Sequence, residues 1–89
     1  MVDSTLARRC LETGDATGAG WAARRGLAAS PYDERLYRLL MLAADQDGER
    51  ARVESTMEEL LRRLEAGDVW PDDLHEGTRA LYEQLARRA

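Results

Sequence analysis

His75 stands beside Asp72, Asp73 and Glu76, the one place where the chain gathers an imidazole with three carboxylates. Metal sites built on histidine want further His or Cys ligands at short, defined spacings. His75 is the only histidine and Cys10, the only cysteine, lies far away in sequence. The cluster therefore reads as a surface histidine at the start of a helix. Cys10 falls on an apolar helical stripe with no histidine near it to favour a thiolate, so it reads as a small buried hydrophobe. A single cysteine also excludes an internal disulfide and points to a reducing, cytoplasmic compartment. Asp33 and Glu34 are adjacent carboxylates that could share acid–base work. Arg35 and Arg38 follow within one turn, however, and Glu34 to Arg38 is the spacing of a helical ion pair. Arginine pairs recur at 8–9, 24–25, 62–63 and 87–88. Such pairs can neutralise phosphate, but acids interleave with them and the net charge is −4, so they read as solvated faces. The glycines fit no phosphate-cradling loop. No nucleophile with a matching base can be assembled, so no catalytic, cofactor-binding or metal residues are assigned. The chain is expected to be no enzyme and to need no cofactor.

What remains is contact chemistry. At about 100° per residue along a helix, Ala19, Ala23, Gly26 and Leu27 share one arc. Trp21 points to the opposite side, flanked by Arg24, Arg25 and Ala28. Tryptophan and arginine are the side chains most enriched at binding hot spots. Trp21, Arg24 and Arg25 are therefore the candidate partner-contact residues, with Trp21 expected to be at least partly accessible in the isolated domain. The partner would be a neighbouring domain of a longer chain, another protein, or a second copy. The alternative is a ring lying flat on its own helix under arginine stems. Trp70 is instead expected to anchor its loop to the core.

These residues need a scaffold, and the scaffold reads as all-helical. Leu6, Ala7, Cys10 and Leu11 mark a first helix over residues 4–13, broken at Gly14-Asp15. A second covers 16–29. Ser30, Pro31 and Asp33 form the structural turn on which the chain is organised. Ser30 is expected to cap a third helix with Pro31 at its first position, and Asp33 to complete a variant capping box. That helix runs from Pro31 to Gln46, apolar over a wide arc and hence central. Gly48 breaks it. A fourth helix over Glu49–Ala66 places Val53, Met57, Leu60, Leu61 and Leu64 on one face. Residues 67–73 read as a loop. An Asp73–Glu76 capping pair starts a fifth helix near Leu74, with Thr78, Leu81, Tyr82 and Leu85 on its apolar face.

Composition narrows the class. Eighty-nine residues make one small domain. All thirteen basic residues are arginine, and Phe and Lys are absent, the coding bias of a GC-rich genome. Residues 1–44 hold six Arg and five acids, a net of +1, while residues 45–89 hold seven Arg and twelve acids, a net of −5. That balance disfavours direct binding of nucleic acid. No secretory signal is evident, and no stretch approaches the roughly 20 apolar residues that span a bilayer, so no membrane contact is expected of this domain.

Gly14 and Gly48 lie 34 residues apart, as do Leu6 and Leu40, Cys10 and Ala44, Ala23 and Met57, and Leu27 and Leu61. Two helices per 34 residues is the tetratricopeptide period. The units are degenerate: Asp3 stands where the first would begin with an aromatic residue, and Glu65 where the second would end in proline. A wider set of segments, Ala23-Arg-Arg-Gly-Leu27, Ser30-Pro-Tyr-Asp-Glu-Arg-Leu-Tyr-Arg-Leu-Leu-Met41, Gly48, Glu58-Glu-Leu-Leu-Arg-Arg-Leu64, Val69-Trp-Pro71 and Thr78-Arg-Ala-Leu-Tyr-Glu83, resembles the bacterial transcriptional activator domain of actinobacteria. The Ser-Pro-Tyr-Asp-Glu wording is closer to the C-terminal copies found in large proteins with LysM-type domains. The resemblance implies a tetratricopeptide-like stack of about five helices in antiparallel hairpins with a right-handed superhelix. It also implies a single domain over 1–89 belonging to a larger protein, and a non-catalytic interaction or regulatory role. Its alternative is the oligomerisation or effector-coupling domain of a transcriptional activator whose winged-helix DNA-binding domain is absent here.

Overall fold

The structure, a computed structural model, describes residues 2–67 and 74–87. These residues form five helices and no strand: α1 (Val2–Glu12), α2 (Ala16–Ala29), α3 (Glu34–Gln46), α4 (Arg50–Ala66) and α5 (Glu76–Ala86). The all-α expectation holds.

Helix α3 is central, as its wide apolar arc requires. Leu36, Tyr37, Leu39, Leu40, Met41, Ala43 and Ala44 are all buried, and α3 packs against each of the other four helices. Helices α1, α3 and α5 lie side by side, with α2 seated over α1 and α3, and α4 over α3 and α5. The molecule is thin, 36 × 32 × 18 Å, consistent with two layers of helices each about 10 Å across. Two apolar clusters fill the seams. The larger joins Leu27, Tyr37, Met41, Met57, Leu60 and Leu64 with neighbours from every helix. The smaller gathers Ala16, Ala19 and Ala43, with Cys10 and Leu11 packed against it. Cys10, expected to be buried, is half-buried there.

The 34-residue period is written into the backbone. Gly14 and Gly48 both have positive φ, 80° and 72°, a conformation that favours glycine. The hydrogen bonds around them match one for one. Thr13, Gly14 and Asp15 donate to the carbonyls of Arg9, Leu11 and Cys10, while Asp47, Gly48 and Glu49 donate to those of Ala43, Asp45 and Ala44. Each helix is thus stopped by the same left-handed turn, which satisfies carbonyls left open at the helix end.

The central turn differs from the sequence expectation. Ser30 closes α2, donating its backbone N–H to the carbonyl of Gly26 at 2.8 Å. Pro31 lies in a turn closed by Asp33 N–H to the Ser30 carbonyl at 3.1 Å, the position i+1 that its fixed φ suits. Asp33 is the N-cap of α3, its Oδ1 accepting from the backbone N–H of Arg35 at 3.1 Å. Helix α3 therefore begins at Glu34 rather than Pro31, because a charged cap two residues from Pro31 prevails over the serine before it. Tyr37, buried, seals the turn by donating its hydroxyl to the Pro31 carbonyl at 3.2 Å.

Helix α5 also starts later than Leu74. Its N-cap is His75, whose Nδ1 accepts from the N–H of Gly77 at 2.9 Å. The expected Asp73 cap, the loop and the Trp70 anchor lie outside the described residues. The expected Glu34–Arg38 pair does not form. Glu34 accepts from the backbone N–H of His75 at 3.0 Å, and Arg38 donates to Thr78 Oγ1 at 2.8 Å. Both side chains tether α5 to α3 instead.

Candidate functional site

Helix α2 is built from small residues on the side it packs. Ala16, Ala19, Ala22, Ala23, Gly26 and Leu27 are buried, a wider stripe than the four positions anticipated. Asp15 caps the helix, accepting from Gly18 N–H at 2.9 Å. With small residues consumed inside, the one aromatic side chain of α2 is left outside. Trp21 is 58% exposed.

The three expected contact residues do not act alike. Arg25 lies over the Trp21 ring, its guanidinium carbon 4.9 Å from the ring centroid, a cation–π contact one helical turn away. Arg24 turns from the ring and reaches Glu59 of α4 at 2.5 Å. That hydrogen bond, ahead of burial and the wider field, raises the Arg24 pKa above its ordinary value, and it holds the Glu59 carboxyl below the usual carboxylate range. Arg24 also lines a groove of about 320 Å³ between α2 and α4. Its walls include Thr17, Trp21 and Arg24 on one side and Arg52 and Thr56 on the other, over a floor of Leu40, Ala43 and Ala44. Arg52 is paired with Glu49 at 3.0 Å.

The turn residues Ser30, Pro31 and Asp33 are no part of this groove. Their work is structural, and the Arg35 guanidinium fixes them further. It donates through Nε and Nη2 to both Asp33 oxygens, at 3.1 and 2.9 Å, and this holds the Asp33 carboxyl below its ordinary value. His75 is exposed with its Nδ1 engaged as a cap. Among the described residues no group of His, Cys, Asp or Glu is placed to hold a metal, and no helix is long and apolar enough to cross a membrane.

Leu6 departs from expectation. Read as part of the packing side of α1, it is 41% exposed, whereas its repeat counterpart Leu40 is 7% exposed. Leu40 belongs to the larger apolar cluster, and Leu6 belongs to neither.

No protein-family model matches the chain, and comparison with curated proteins and with solved structures returns no match either.

Proposed function

We propose that this chain is a non-catalytic protein-interaction and regulatory module of a larger actinobacterial protein, built as a tetratricopeptide-like stack with right-handed superhelical hairpins. The observation that carries the reading is Trp21, 58% exposed beneath Arg25 at the lip of a groove. Tryptophan and arginine are among the side chains most enriched at binding hot spots. The shared hydrogen bonding of the Gly14 and Gly48 turns supports the tetratricopeptide-like architecture. The half-buried free thiol of Cys10 suits a reducing, cytoplasmic setting.

A photo-crosslinking side chain placed at Trp21, and separately at its repeat counterpart Ser55, tests this in the parent protein. Crosslinking to a neighbouring domain or a second protein from position 21, and not from 55, is the expected result. Equal labelling from both positions, or none from 21, would contradict it.

A further inference from the structure

The Trp21 patch carries a protrusion and a hollow side by side. The exposed indole is the protrusion. The hollow is the groove it lines, where Ala16, Gly20, Ala43 and Ala44 present little side chain. A Cβ added at Gly20 would meet nothing within 4 Å, so the space over that residue is open. A surface that holds both a knob and its hole can pair with its own copy across a two-fold axis.

The charges on either side of the ring obey the same symmetry. The arginines in the groove wall are neutralised, Arg24 by Glu59 and Arg52 by Glu49. Arg25 and Asp47 are exposed, and neither enters an ion pair with a described residue. Arg25 sits over the Trp21 ring, and its N–H donors are open to a carboxylate. It lies one turn after Trp21 on α2. Asp47 lies toward the opposite end of α2. It follows Ala43 by one turn of α3, and Ala43 clusters with Ala16 near the start of α2. Thr17 and Asp47 both line the groove there. A two-fold axis beside Trp21 sets the two α2 helices antiparallel. Arg25 and Thr17 each stand about 6 Å along the helix from Trp21, so Arg25 of each copy arrives at Thr17 and Asp47 of the other.

We propose that the Trp21 patch pairs with a second copy of this chain, each indole seated over Gly20 of the other copy and each Arg25 against the other's Asp47. The proposal rests on the reading of Trp21 as a contact residue and names its partner. A uniformly acidic or basic partner fits less well, because Arg25 and Asp47 oppose each other in sign across the patch.

Sedimentation equilibrium of the intact chain over a range of concentrations tests this. A reversible monomer–dimer equilibrium is expected. Trp21→Ala and Gly20→Leu should each weaken it by roughly tenfold or more, with helical circular dichroism retained. Gly20→Leu is the stricter variant, since leucine favours a helix over glycine and the site has room for its Cβ. Arg25→Glu and Asp47→Arg should each weaken dimerisation by roughly fivefold or more when alone. Mixed in equal amounts, these two variants should dimerise with each other, because every pair across the axis is again of opposite sign. The proposal is overturned by a chain that stays monomeric, by a dimer indifferent to Trp21→Ala and Gly20→Leu, or by charge variants that fail to associate when mixed. If the chain stays monomeric while a crosslinker at position 21 labels a different domain or protein, self-pairing falls and the contact reading stands. If position 21 labels nothing, both fall.

Discussion

The two helical hairpins share a backbone device and differ in where they put their large side chains. Around Gly14 and Gly48 the turn hydrogen bonds correspond residue for residue. The first hairpin then packs through Ala7, Ala19, Ala22, Ala23 and Gly26 and leaves Leu6 and Trp21 outside. The second packs through Val53, Met57, Leu60 and Leu64, and the counterpart of Trp21 is the exposed Ser55. The second hairpin buries its large apolar side chains in the core, while the first buries Leu27 but leaves Leu6 and Trp21 outside. A repeat thus fixes the scaffold, while the departures from the repeat mark the surface available for contact.

Substitutions in the two hairpins should differ accordingly. The largest loss should come from the second hairpin. Leu60 is fully buried, and Leu60→Ala should cost about 2–5 kcal/mol in denaturant unfolding through lost burial and a cavity. In the first hairpin the damaging change runs the other way. Ala19→Leu, at a site with no exposure, should overpack the α1–α2 seam and cost about 1–3 kcal/mol. Unchanged thermal stability in that variant would place the small-residue stripe on the outside.

A smaller effect concerns the turn between the hairpins. Asp33→Ala should cost about 1 kcal/mol through loss of the N-cap, and Ser30→Ala distinctly less. The Asp33 carboxyl is held below its ordinary value of 3.8, chiefly by hydrogen bonding from Arg35. Its contribution is therefore complete above that value and is lost as pH falls through the lower, folded-state value. The deficit of Asp33→Ala should accordingly shrink in acid, as followed by unfolding at stepped pH.

Much of this was legible in the sequence because it is local. Helical periodicity, the breakers at Gly14 and Gly48, and the outward direction of Trp21 all follow from spacing within a few turns. Capping was harder, since Ser30 and Asp33 are both good caps and only the closed turn between them decides which is used. Glu34 and Arg38 have the spacing of a helical pair, yet the backbone of His75 and the hydroxyl of Thr78 offer each a tertiary partner. Leu6 has the periodicity of a core residue, but periodicity cannot say whether a covering helix is present. The depression lined by Leu11, Leu39, Leu42 and Leu81 had no local signature at all, since its residues come from three helices.

The first hairpin presents Trp21, its largest apolar side chain, to solvent. In a Trp70→Phe variant at dilute monomer concentration, Trp21 is the only indole emitter. Its emission should be red-shifted and readily quenched by acrylamide, as a ring 58% exposed requires. A blue-shifted emission that acrylamide does not quench would instead place the ring inside the fold.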